Sequence, residues 1–148
     1  MIRFLLAACL AAAPLSAGAE ISVRWAEGRL ALENRSRCDA GPFEFILDLR
    51  IAKPRLRFGA PAFTAEEGAG WIAATTPPGS GAMVLTVALR DLPAGERIAL
   101  ALDVEDAKGA PAAALSGAVA AVAFGYERSD APLDAEGAAT LRGFGCLG

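Results

Sequence analysis

Four fixed positive charges, Arg50, Lys53, Arg55 and Arg57, fall within the nine residues RIAKPRLRF, residues 50–58. The whole chain has 148 residues and a net charge of −3, so this run is a local excess of cations. Two readings fit it. Arg55 and Arg57, two apart on a strand, would share one face and join Arg50 or Lys53 in gripping a sulfated, phosphorylated or carboxylated glycan. Alternatively, charges beside Pro54 keep an edge strand from recruiting another chain while Leu56 and Phe58 face the core, the usual fate of a short charge run. Nucleic acid is not expected as a partner, because the chain is acidic overall and its few aromatics sit in core-like positions.

Other chemistry is conspicuous by its absence from the sequence. There is no histidine, which removes the usual general base, the Ser-His-Asp arrangement and the commonest metal ligand. No serine sits in a G-x-S-x-G setting, and neither Lys53 nor Lys108 follows the glycine spacing of a phosphate loop. A formal G-x-G-x-x-G at residues 143–148 has no helix after it to receive a pyrophosphate. Cys38 and Cys146 alone do not make a zinc cage, and Met83 without imidazole does not make a copper site. Asp103, Glu105 and Asp106 in LDVED offer three oxygen ligands where calcium takes six to eight, so they read as a solvated face. No metal or other cofactor is expected, and a small-molecule substrate is not expected either. Paired carboxylates remain able in principle to hydrolyse glycosides, which keeps that enzyme class as a third reading behind two non-enzymatic ones. Asn34-Arg35-Ser36 is a formal N-glycosylation acceptor. Trp25, Trp71 and Tyr126 are the large aromatics available as a sugar platform; Trp71, beside the glycines of GAGWIAATTPPG, is the first candidate, set against ordinary core packing.

These side chains must be carried by something, and the N-terminus indicates where. MIRFLLAACLAAAPLSAGAE has one cation, Arg3, then an apolar run and Ala17-Gly18-Ala19, the layout of a secretory signal with cleavage after Ala19. Residues 1–19 are therefore expected to be a signal peptide and residues 20–148 one domain, periplasmic or secreted. Leu6-Ala7-Ala8-Cys9 also reads as an acylation box, so a lipid anchor at Cys9 is the minority alternative. Cleavage leaves Cys38 and Cys146 as an even pair, which an oxidising compartment favours joining. Pro14 breaks the leader's apolar run, and residues 110–126 are too short and too weakly hydrophobic, so no membrane span is expected.

Apolar residues then recur with period two: Ile21, Val23, Trp25; Leu30, Leu32; Phe43, Phe45, Leu47, Leu49; Leu56, Phe58; Met83, Leu85, Val87, Leu89; Ile98, Leu100, Leu102, Val104. Alternation at this period marks strands with one buried and one wet face. The intervening pieces, ENRSRCDAGP, AEEGAG, TTPPGSG, DLPAGE and EDAKGAP, are turn-formers. Many short strands with Gly and Pro at the joints predict an all-β chain folded as a single antiparallel β-sandwich. In the alanine-rich residues 110–126, Val122, Phe124 and Tyr126 alternate as a strand, while 110–118 is open between helix, loop and strand. The tail from Ser129 reads as a loop followed by a last strand near residues 140–144.

Two segments, ISVRWAEGRLALENRSRCDAGPFEFILDLR and MVLTVALRDLPAGERIALALDVED, the second with L-x-x-L-x-x-G-E and D-V-x-D patterns, resemble small exported bacterial proteins labelled "aggregation factor core". The resemblance implies an immunoglobulin-like sandwich and a role in adhesion or aggregation at the cell surface, and it supplies no catalytic residues. The expectation is thus a non-enzymatic exported protein that binds an envelope or extracellular protein or glycan, or itself. A carbohydrate-recognising module or an envelope inhibitor is the second reading.

Overall fold

Period-two burial does build the molecule. The computed structural model describes residues 18–53, 55–59, 64–76, 79, 81–106 and 115–146. Residues 1–17 with Cys9, Pro54, and residues 110–114 of the alanine-rich segment lie outside the described residues. The chain runs through β1 (Gly18–Ala26), β2 (Arg29–Asn34), β3 (Phe43–Asp48), the short β4 (Leu56–Phe58) and β5 (Thr64–Glu67). After a 3-10 turn at Ala69–Trp71 come β6 (Ile72–Thr76), β7 (Val84–Leu89), β8 (Arg97–Ala101) and β9 (Val104–Asp106). It closes with β10 (Val119–Phe124), β11 (Glu127–Pro132) and β12 (Ala138–Gly145), and no α-helix occurs among the described residues.

One five-stranded sheet has the order β12-β1-β2-β8-β5, a second β11-β10-β3-β7-β6, and β4 pairs with β9 as a separate ribbon. Neighbouring strands are antiparallel throughout. Ile21, Val23, Leu30, Leu32, Ile98 and Leu100 of the first sheet share one buried cluster with Phe45, Leu47, Leu85, Val87 and Val122 of the second. Two antiparallel sheets around one core are consistent with a β-sandwich.

Three local differences from the sequence reading have physical causes. The apolar run 98–104 is not one strand: β8 ends at Ala101, the Leu102 amide donates to the Gly28 carbonyl (2.9 Å), and Val104 pairs instead with Phe58. Residues 129–132, read as loop, belong to the edge strand β11 across from β10. Its side chains are exposed or half-exposed, so no apolar alternation marks it. The same holds for β5, where the turn-like AEE pairs with β8. At the front, β1 takes in Gly18 and the buried Ala19 opposite Gly145 and Phe144, so cleavage after Ala19 would start the strand at Glu20.

The turn joining β11 to β12 rests on β1 at Gly137, whose carbonyl accepts from the Trp25 amide at 2.7 Å. Its φ of +73° is left-handed, and a Cβ there would lie 2.8 Å from the Trp25 carbonyl oxygen, so glycine is required for this approach.

At one end the two sheets are tied together. Cys38, in the loop from β2 to β3, is disulfide-bonded to Cys146 after β12, with Cα atoms 5.5 Å apart across 108 residues. Beside it, Ala40 bridges both Leu92 and Cys146. Asn34 is fully buried there, donating its side-chain amide to the carbonyls of Cys38 and Leu92, both at 2.8 Å, and accepting from the amide and hydroxyl of Ser36. Its backbone bonds Glu96 and Gly95, so every polar atom it owns is used. The formal glycosylation acceptor is therefore a structural hub whose nitrogen is inaccessible in the folded protein.

Replacing Asn34 by Ala is expected to cost about 2–3 kcal/mol, because buried partners lose their bonds without access to water; urea unfolding of Asn34→Ala measures it. Reduction of the disulfide, or Cys38→Ala with Cys146→Ala, is expected to cost about 3–5 kcal/mol for a loop of this length. Thermal melts with and without reductant check this, and melts that coincide would contradict it.

Candidate functional site

The outer face of the second sheet is unusually low. Opposed in register across β10, β3, β7 and β6 lie Ala123, Glu44, Ala88 and Ala74, so three of four side chains in the row are single methyls. Directly opposed side chains stand about 5 Å apart, so such a row forms a trough. β6 carries a register shift between Ile72 and Ala74, and the extra residue, Ala73, joins the lining. The result is an open groove of about 600 Å³. Pro42, Phe43, Leu89 and Arg90 form a lip at one end, with the buried Phe43 and Leu89 directly paired across β3 and β7, and Gly125 of the β10–β11 turn reaches it.

Tyr126 stands at that turn with its side chain wholly in solvent (109 % relative exposure), the most exposed large hydrophobic residue among those described. Gly125 before it has a φ of +58°, which lets the chain reverse tightly. Arg90 and Glu44 supply one positive and one negative group at the groove, both exposed. The Arg90 amide donates to the Trp71 carbonyl (2.8 Å), which fastens the 3-10 turn to this lip. An apolar floor, a protruding phenol ring and one group of each charge can hold a mixed polar and apolar surface. Glu44 is the one carboxylate among the described lining residues, where glycoside hydrolysis uses a pair.

The sequence candidates are placed elsewhere. Trp71 is half-buried and packs against the core, and Trp25 is buried. Arg50 lies in the turn after β3, where its guanidinium holds Asp48 through Nη2–Oδ2 at 2.6 Å and Nε–Oδ1 at 2.9 Å, with its backbone amide also on Oδ1. Lys53 and Arg55 are exposed. Arg57 points outward on β4 directly across from Glu105, while Leu56 and Phe58 are buried. Thus two of the four cations face a carboxylate, and the four are divided between a turn and a ribbon. β4 is not an open edge at Phe58, which exchanges backbone bonds with residues 81 and 82, each 2.8 Å. No group of three or more metal-ligating residues occurs among those described, Asp103 and Glu105 included, while the side chain of Asp106 lies outside the description. Sequence reasoning missed Glu44, Arg90 and the alanine floor; the one signal was alanine at the outward positions of three strands, where polar residues are usual.

Compared with protein-family models, curated proteins and solved structures, the chain matches none.

The hydrogen bonds from Arg50, more than its charge, hold the Asp48 carboxyl below the usual carboxylate range against a smaller opposing effect of burial. A depressed folded-state value contributes stability that is present above pH about 4 and is lost as pH falls through that value. Asp48→Asn is therefore expected to be less stable than the wild type at neutral pH and to converge with it in acid. Denaturation midpoints across pH 7 to about 2 test the sign.

Proposed function

We propose that this chain is an exported, non-enzymatic β-sandwich protein of immunoglobulin-like type with a binding, adhesion or aggregation role at the cell envelope. The observation that carries this reading is the alanine-floored groove, lined as far as Gly125, which the wholly exposed Tyr126 follows in the same turn. Large aromatics held in solvent beside a shaped apolar surface are typical anchors of recognition sites. The segments that resemble aggregation-factor-core proteins each contribute lining residues to this groove, Pro42–Glu44 in one and Ala88–Arg90 in the other.

Strand order supports the immunoglobulin-like type. The run β1-β2-β8-β5 follows the A-B-E-D arrangement and β3-β10-β11 the C-F-G arrangement. The chain departs from it in that β12 is added beside β1, β6 and β7 enter beside β3 between the D-like and E-like strands, β4 and β9 form a separate ribbon, and the disulfide joins a loop to the residue after β12. That disulfide is compatible with a periplasmic or extracellular home.

Carbohydrate recognition is the second reading, favoured by one specific feature: Tyr126 offers a stacking face with Arg90 and Glu44 near enough to the same groove to hydrogen-bond hydroxyls. Sedimentation of the purified protein with envelope fragments, and ultracentrifugation for self-association, test the first reading; titration with neutral oligosaccharides tests the second. Tyr126→Ala and Ala88→Arg are expected to weaken the relevant binding about tenfold or more with unchanged melting temperature. Wild-type binding by both variants would remove the groove from the function.

A further inference from the structure

The outward face of the other sheet gathers cations where the linear sequence shows none clustered. Ser22, Glu33 and Arg97 are opposed in register across β1, β2 and β8, and Arg24 opposes Ala31 in the next row. Arg35 follows Glu33 at the end of β2, its amide bonded to the Glu20 carbonyl. The single methyl of Ala31 leaves a depression of about 240 Å³ lined by Ser22, Arg24, Ala31, Glu33, Arg35 and Arg97. Three guanidiniums therefore look onto one small space with one carboxylate and one hydroxyl.

The pairing inside this set is uneven. Arg97 is engaged with Glu67 at 2.6 Å, and Arg35 holds Glu33 only at 3.5 Å. No carboxylate among the described residues pairs with Arg24, which is exposed. Exposed ion pairs contribute little, so Arg35 and Arg97 can turn to a better anion at small cost. Glu33 decides the ligand's character. A bare oxyanion brought in beside it meets a like charge, whereas a ligand that also carries hydroxyls can donate them to Glu33 and present its acid group to Arg24 and Arg97. The space falls below the roughly 300 Å³ at which pockets for drug-sized ligands begin, which suits one sugar-sized group.

We propose that Arg24, Arg35 and Arg97, with Ser22 and Glu33, form a second binding site for a hydroxylated carboxylate of the uronic-acid type, on the sheet opposite the Tyr126 groove. The acid group bridges Arg24 and Arg97, and ring hydroxyls meet Glu33 and Ser22. The carboxylate can belong to a free sugar acid or to a unit within an acidic polysaccharide.

Amide chemical-shift titration of the purified, disulfide-bonded protein tests it with glucuronate, glucose, acetate and a glucuronate-containing oligosaccharide as probes. Glucuronate is expected to move Ser22, Arg24, Ala31, Glu33 and Arg97 in the millimolar range and to bind at least about fivefold more tightly than acetate or glucose. Tighter binding of the oligosaccharide identifies a polymer unit, and equal binding a free sugar acid. Arg24→Ala is expected to weaken glucuronate about fivefold, and Arg24→Lys to keep only part of the affinity because the planar fork is gone. Glu33→Gln should reduce the preference for glucuronate over acetate. Tyr126→Ala, on the other sheet, leaves the binding unchanged. Acetate or glucose binding as tightly as glucuronate, no shifts at these residues, or loss of the response in Tyr126→Ala would each overturn the proposal.

Discussion

The fold depends on the tie at the end of the sandwich where Asn34 lies beneath the Cys38–Cys146 bond. Sheets that share only a greasy interface can slide, because hydrophobic attraction has no direction. Hydrogen bonds from a buried amide do have direction, and Asn34 aims them at the two loops that cross between the sheets, through Cys38 in one and Leu92 in the other. Ala40 adds a backbone bridge on each side of the same point. One end of the groove begins a few residues further along these loops, at Pro42 and Phe43 and, on the incoming side, at Leu89 and Arg90. The tie thus sits beside one end of the groove, whose floor is held by the ladder β10-β3-β7-β6.

Much of the architecture could be read from the sequence because burial on a strand is a one-dimensional property. Ile21, Val23 and Trp25, or Phe43, Phe45 and Leu47, announce their face by alternation, and they are buried as that alternation requires. The cysteine pairing was legible because reading the N-terminus as a leader leaves Cys38 and Cys146 as the two candidates. Where both faces of a strand meet water the signal disappears, and this is why β5 and β11 read as turns or loop. The run 98–104 misled in the opposite sense: its alternation continues through a point where the backbone leaves one sheet for the β4–β9 ribbon, since Leu102 and Val104 are buried either way.

The site was less legible, because a site on a sheet surface is two-dimensional. Arg24, Arg35 and Arg97 are up to 73 positions apart in the chain and meet only through register, while Arg50, Lys53, Arg55 and Arg57 are neighbours in the chain and are divided between a turn and a ribbon. Charge density along a sequence is thus a poor guide to charge density in space when the fold is built from cross-strand rows. The alanines of the groove floor carry even less signal, since their contribution is the volume they leave unfilled.

The disulfide also sets how the molecule responds to being cut. The ring that it closes spans 108 residues and contains every strand from β3 to β12, leaving only β1 and β2 ahead of it. A protease that severs any one connection inside the ring opens it without releasing a fragment, and the pieces stay one covalent molecule with their sheets still paired. In a periplasmic or extracellular setting, with which the disulfide is compatible, a nicked copy would keep its surface until something reduces the bond.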